Sequence, residues 1–188
     1  MIEFLYSIDV WLFFFINHTI ANPILDVVLP FMTDLNKFRP AQVLILVWIA
    51  YVLWKGGRTG RVTVGLLVVT VIASDQINSS ILKDLFGRIR PCRALEGVRM
   101  LVDCGGGLSF PSSHAANHFA AAPVISSFYP RQKVYWFIFA AVMAFSRPYV
   151  GVHYPSDIIG GALVGFGLGS LIVFLWKNAE KKFQFLHP

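Results

Sequence analysis

Charge is scarce in this chain. Its 16 Lys and Arg and 10 Asp and Glu make up only 14% of 188 residues, whereas a soluble domain carries about 25%. Hydrophobic residues account for 56% and the mean hydropathy is +0.63, so the polar surface of a water-soluble fold is missing and the chain reads as a membrane protein. Acids are the scarcer sign, leaving a net charge of +6. The basic residues lie scattered between apolar runs and form no solvated basic face with interleaved aromatics. That excludes nucleic acid as a partner and leaves membrane flanks or anionic headgroups. A basic leader and a small-residue cleavage site are lacking as well: Glu3 and Asp9 stand where the leader's cations would be, so no cleavable signal peptide is expected. Internal repeats and low-complexity tracts are absent, and the length predicts a single domain over 1–188.

What is present is a series of apolar runs. A membrane-spanning helix needs about 20 mostly apolar residues, and the runs at 38–55, 62–82, 113–129, 134–148 and 157–176 qualify, each bounded by charges or by Pro and Gly. Residues 1–36 hold two further pieces, Val10–Ile16 and Ile24–Met32, separated by Asn17-His18 and Asn22-Pro23. They predict an interfacial segment followed by a short embedded helix. The expected fold is therefore all-α: a polytopic transmembrane bundle of five to six membrane helices with an N-terminal interfacial segment. Trp11, Trp48, Trp54, Trp136 and Trp176 suit interface anchors and lipid-facing packing.

Threading five spans puts residues 84–111 and 149–156 on one membrane face. Lys55, Arg58, Arg61, Arg131, Lys133, Lys177, Lys181 and Lys182 fall on the other, which marks that second face as cytoplasmic. The only cysteines, Cys92 and Cys104, lie in the 84–111 insertion. If that side is oxidising, they suit a disulfide closing the loop; the alternative is two free thiols.

Three polar clusters interrupt the apolar pattern, and the threading brings all three to the same face. They are Lys83 to Pro91, Pro111-Ser112-Ser113-His114, and Ser146 to Asp157. Lys83, Arg90 and Arg147 supply cations, two of them guanidiniums whose forked donors match phosphate oxygens. A charge at the bilayer centre costs about 3 kcal/mol on insertion scales, so three cations converging at the membrane boundary imply an anion between them. Ser112 and Ser113 open a helix whose unpaired N–H groups and positive dipole end favour that anion. His153 and Asp157 form a reactive pair: an acid that accepts one ring N–H leaves the other nitrogen as a nucleophile. His114 remains as the acid for a leaving oxygen. A zinc reading of His114 and His118, spaced i and i+4, lacks the intervening Glu and a third ligand cluster. His118 is therefore read as packing, and no metal or other cofactor is expected. Asp75, Ser79 and Lys83 follow one another at i+4 steps, a polar stripe in which Asp75 is either a partner for a nearby cation or part of a hydrated helix end.

The pattern Lys83-x6-Arg90-Pro91, Pro111-Ser112-Ser113-His114 and Ser146-Arg147-x5-His153-x3-Asp157 resembles the signature of the type 2 phosphatidic acid phosphatase superfamily. That resemblance implies a phosphohistidine at His153, orientation of that ring by Asp157, and protonation of the leaving group by His114. Lys83, Arg90, Ser112, Ser113 and Arg147 would bind the phosphate. Apart from the resemblance, Arg88, Arg93 and Arg99 read either as substrate-headgroup contacts or as ordinary snorkelling and loop charges. One departure stands out: the family usually has Gly where this chain has Ser113. The implied function is an integral membrane lipid phosphatase of the cell envelope. It would sit in the bacterial inner membrane, with its active site on the extracytoplasmic side. Lipid A 1-phosphate and undecaprenyl diphosphate are the leading substrates, ahead of phosphatidylglycerol phosphate and phosphatidic acid. The alternatives are a lipid phosphotransferase using the same phosphohistidine, and a zinc-dependent membrane hydrolase.

Overall fold

The computed structural model describes residues 2–186, apart from the side chains at 2, 36 and 183–186. The described residues are helical with polar connections. Helix α1 (Ile2–Phe14) continues as a π-helical turn over Phe15–Thr19, and α2 (Pro23–Thr33) leaves it at an angle of 114°. The break is written locally. Asn22 adopts an extended backbone and its Oδ1 accepts from the N–H groups of Ile24 and Leu25 at 3.1 and 3.0 Å, while Pro23 occupies the first helical position.

Helix α3 (Arg39–Lys55) and α4 (Gly57–Ile77) form a tight antiparallel pair. A Cβ at Gly56 or Gly60 would come within 2.4 or 2.8 Å of the Val52 carbonyl, so only glycine permits that turn. From α4 the chain runs through a π-helical turn, Asn78–Leu82, into the single turn α5 (Lys83–Phe86) and, past Gly87, into α6 (Pro91–Ala94). Three longer helices follow: α7 (Ser113–Phe128), α8 (Lys133–Tyr149) and α9 (Pro155–Leu186).

The bundle core is the contact of α7 with α9, and it is made of small residues. Gly161, Gly165 and Gly169, one turn apart on α9, face the carbonyls of Ser112, Ala116 and Ala120. Ala115, Ala116 and Ala120 are fully buried. Close backbone approach through small side chains is how helices associate in lipid, where apolar side chains gain nothing by hiding from solvent. The outer surface is apolar: α3 buries no residue and exposes Leu44, Leu46 and Trp54. Such a surface is untenable in water and ordinary in a bilayer.

Two helical runs among the described residues, Gly57–Ala94 and Pro155–Lys182, are long and apolar enough to cross a membrane, and the bent α1–α2 pair is a third candidate. Helices α3, α7 and α8, at 17, 16 and 17 residues, are shorter.

Candidate active site

The site is assembled where four segments end. The start of α7, the end of α8, the start of α9 and the 83–111 segment meet beside the C-terminal end of α2. The connection from α8 to α9 is itself buried: Tyr149, Val150, Val152, His153 and Tyr154 are almost wholly enclosed. Tyr149, Val150 and Val152 pack on Leu29 of α2. Gly151, at φ +92°, lets this loop turn against the Arg99 carbonyl, which a Cβ would meet at 2.8 Å.

Asp157, in the first turn of α9, is fully buried and surrounded by donors. Its Oδ2 accepts from Ser109 Oγ at 2.5 Å and from the Tyr154 N–H at 2.8 Å, and lies 3.4 Å from His153 Nδ1. Its Oδ1 accepts from Arg88 at 2.8 Å. His153 is thus contacted through Nδ1, with Ser109 Oγ also at 3.4 Å, and Nε2 is its remaining nitrogen. Burial pushes the His153 imidazole down to about 4, Arg147 and Arg90 act in the same direction, and Asp157 opposes them. At neutral pH the ring is therefore neutral, the form in which a nitrogen lone pair can attack.

The cations converge as the motif spacing implied. Lys83, Arg90 and Arg147 are each at least 90% buried. Lys83 Nζ donates to the Leu108 carbonyl at 3.0 Å, and one Arg147 terminal nitrogen donates to Thr33 Oγ1 at 2.7 Å. His114, on the first turn of α7, is bonded to the Thr33 main chain. Thr33 thus supports both residues from α2.

Ser112 caps α7 by backbone position, yet its hydroxyl makes none of the hydrogen bonds that a serine there usually makes. Its N–H donates to the Asp157 carbonyl at 3.0 Å, tying α7 to α9. Ser112 Oγ, Arg90 Nε and Arg147 Nε are buried polar atoms with no protein partner. Orphaned donors of this kind are rare in folded proteins because each costs about 1–3 kcal/mol. A bound anion is the kind of partner that guanidinium and hydroxyl donors take.

Ser113 occupies the position where glycine is usual, and Asn78 accounts for it. Asn78, fully buried in the π-helical turn after α4, donates to Ser113 Oγ at 2.9 Å and to the Pro111 carbonyl at 3.0 Å. A hydroxyl that accepts from an amide keeps its own proton to donate elsewhere.

Arg88 and Arg99, expected as headgroup contacts, are paired with acids of the protein itself. Arg88 bridges Asp9 and Asp157 at 2.6 and 2.8 Å, and Arg99 pairs with Asp26 at 2.7 Å while its N–H and Nε engage Asn17. Both partner acids lie in the N-terminal helices, whose path the sequence left open. Arg93 is exposed and donates to the carbonyl of Gly105, the residue just past the Cys92–Cys104 disulfide, whose Cα atoms are 6.1 Å apart. His118 packs on Phe139 and uses Nδ1 on the His114 carbonyl at 2.8 Å. Among the described residues no group of three or more His, Cys, Asp or Glu side chains is placed to hold a metal. Sequence reasoning missed Asp9, Thr33, Asn78 and Ser109 as site residues. Asp9 alone carried a signal: an acid inside an apolar helix.

A profile of the PAP2 superfamily matches residues 63–181, which include every one of the three motifs. The chain belongs to that superfamily. Over 98% of its length this PAP2 chain is 32% identical to the lipid A 4'-phosphatase of Bacteroides thetaiotaomicron, covering 84% of that protein. It is 32% identical over 80% of its length to the undecaprenyl-diphosphatase BcrC of Bacillus subtilis, covering 74% of it. The crystal structure of Aquifex aeolicus LpxE superposes with a TM-score of 0.69 at 28% identity, covering 87% of this chain and 93% of that one. The protein is thus a PAP2-type membrane phosphatase, an enzyme of the lipid-phosphatase family.

Proposed function

We propose that this phosphatase transfers the phosphate of a lipid phosphate to His153 and then to water, without a metal. The observation that carries the reading is the set of buried donors, Ser112 Oγ, Arg90 Nε and Arg147 Nε, unpartnered within the protein, with Lys83 buried as a third cation. In the first step His153 Nε2 attacks phosphorus, and the phosphorus–oxygen bond to the lipid breaks as the nitrogen–phosphorus bond forms. His114, protonated once the negatively charged phosphate lies beside it, gives its proton to the departing lipid oxygen. Water then attacks the phosphoryl group, neutral His114 takes a water proton, and the nitrogen–phosphorus bond breaks. His153 recovers its lone pair and inorganic phosphate leaves. Charge stabilisation by Lys83, Arg90 and Arg147, with Ser112 and Ser113 as donors, supplies most of the catalysis, as is usual for phosphoryl transfer.

The substrate we favour is a phosphate group of lipid A, with undecaprenyl diphosphate second. The match to a lipid A 4'-phosphatase extends through the N-terminal helices, and the LpxE structure shares the fold. The chain acts as one domain in which α3, α4, α7, α8 and α9 cross the membrane. Seventeen residues make about 25 Å of helix, enough for the thinner end of the bilayer range. The disulfide loop and the site lie at one end of this bundle. Lys55, Arg58, Arg131, Lys133 and Lys177 flank the other ends of the same helices, which supports an extracytoplasmic site in a bacterial inner membrane.

The test is phosphate release from purified protein presented with lipid A, undecaprenyl diphosphate, phosphatidylglycerol phosphate and phosphatidic acid in the presence of EDTA. Release from lipid A that persists in EDTA is the expected result. Loss of release on chelation would overturn the metal-free mechanism, and transfer to an acceptor without free phosphate would make the protein a phosphotransferase.

A further inference from the structure

Helix α1 contributes a buried acid to the centre of the site. Asp9 is 7% exposed on a helix whose other faces carry Phe4, Leu5 and Trp11 outward. An acid in such a setting costs about 3 kcal/mol, and here three donors offset that cost. Asp9 Oδ2 accepts from Arg88 at 2.6 Å and from the Ser156 hydroxyl, and Oδ1 accepts from the Ser156 N–H at 2.9 Å. The last bond caps the start of α9 from another helix, one residue before the end of the Tyr154–Asp157 turn that presents the catalytic acid.

Arg88 is held on several sides, with 21% of its side chain exposed. One terminal nitrogen donates to Asp157 Oδ1 and Ser156 Oγ, the other to Asp9, and the guanidinium carbon stands 3.9 Å from the centre of the Tyr154 ring. A planar fork with donors on two edges can serve two carboxylates at once, which a lysine cannot. Both terminal nitrogens of this guanidinium are thus committed within the protein.

We propose that Asp9 and Arg88 are positioning residues for the reaction. Asp9 fixes Arg88, and Arg88 holds Asp157 Oδ1, so that Oδ2 stays turned toward Ser109, the Tyr154 N–H and His153 Nδ1. The N-terminal helix is thereby part of the catalytic apparatus rather than a membrane anchor alone. The proposal rests on His153 being the nucleophile that Asp157 orients. It predicts an effect on turnover, because a misplacement of about 1 Å at a reacting group costs up to about a hundredfold in rate.

The experiment compares full-length wild type, Asp9→Asn, Asp9→Glu, Arg88→Gln, Arg88→Lys and the Asp9→Asn/Arg88→Gln double variant, purified in detergent. Phosphate release is measured with lipid A and with undecaprenyl diphosphate, and melting temperature checks folding. Asparagine keeps an oxygen for the Ser156 N–H and loses only the ion pair. Asp9→Asn is expected to lower kcat about tenfold and Arg88→Gln about a hundredfold, with KM within about twofold. Asp9→Glu should recover part of the Asp9→Asn loss, and Arg88→Lys should remain well below wild type. Because Asp9 acts through Arg88, adding Asp9→Asn to Arg88→Gln should cost nothing more.

A rise in KM at unchanged kcat would return Arg88 to a headgroup role and overturn the proposal. So would additive losses in the double variant, or losses that follow melting temperature alone. Active wild type with fully active Asp9→Asn and Arg88→Gln would defeat this proposal and leave the phosphatase reading standing. Wild type that releases no phosphate from either lipid would defeat both.

Discussion

Replacing Arg147 by lysine keeps the charge and removes the fork. In the structure one terminal nitrogen of Arg147 is committed to Thr33 Oγ1 at 2.7 Å, while Nε is buried without a protein partner. A guanidinium so anchored has Nε and its second terminal nitrogen for two parallel bonds to a phosphate. A lysine ammonium can hold Thr33 or the phosphate along one line, not both with this geometry. The lost interaction is at least one hydrogen bond to a charged group, worth about 1.5–3 kcal/mol. At about 1.4 kcal/mol per tenfold, Arg147→Lys should lower kcat/KM by about ten- to a hundredfold. Arg147→Met, which fills similar space without charge, should lower it by about a hundred- to a thousandfold, the range for loss of one transition-state charge partner. Folding should not suffer in parallel. Lys83, Arg90 and Arg147 are three like charges buried near one another, so removing one relieves repulsion in the ligand-free protein. The assay is phosphate release under single-turnover conditions, with melting temperature recorded with and without inorganic phosphate. Phosphate at about a hundred times its Kd should stabilise wild type by about 2.7 kcal/mol and Arg147→Met much less. An Arg147→Lys protein with wild-type kcat/KM would refute the bidentate role.

Three further outcomes are expected. Neutral His153 is the attacking form and burial holds its pKa near 4, so kcat/KM should persist at pH values where a free imidazole, near 6.5, is protonated. The sign follows: activity attributable to this group is present above about pH 4 and falls about tenfold per pH unit below it, and an acid limb centred near 6.5 would contradict the buried neutral ring. Gly165→Ala would place a Cβ 2.0 Å from the Ala116 carbonyl. It should separate α7 from α9, lower the melting temperature and disturb the Ser112–Asp157 tie, whereas Gly167→Ala, which meets nothing within 4 Å, should do neither. Cys92→Ser/Cys104→Ser opens a loop closed over a sequence separation of 12, which chain-entropy reasoning values at about 3 kcal/mol; a melting temperature unchanged by this double variant would show that the loop is held by its hydrogen bonds alone.

Much of the fold was legible because lipid imposes a simple rule: apolar runs become helices, and their ends carry charge, Pro or Gly. The run expected at 134–148 is helix Lys133–Tyr149, and that at 113–129 is Ser113–Phe128. The motif residues could be grouped because each lies at the end of a run, and helix ends on one face must meet. What could not be read are the contacts made across long stretches of chain. Arg147 reaches Thr33 across 114 residues and Ser156 reaches Asp9 across 147, both into N-terminal helices whose 114° bend has no periodic signature. The same gap hid the acid partners of Arg88 and Arg99, because Asp9 and Asp26 had no place in the fold. Asn78 was hidden differently: a polar residue near a helix end reads as hydrated until the opposing Ser113 is in position.

The central claim is that His153 carries the phosphoryl group without help from a metal. It is tested most directly by phosphate release from lipid A in EDTA by wild type and His153→Ala, each shown to be folded by its melting temperature. The account predicts that wild type keeps its turnover in EDTA and that His153→Ala loses at least about a hundredfold. Near-normal release by folded His153→Ala would contradict it.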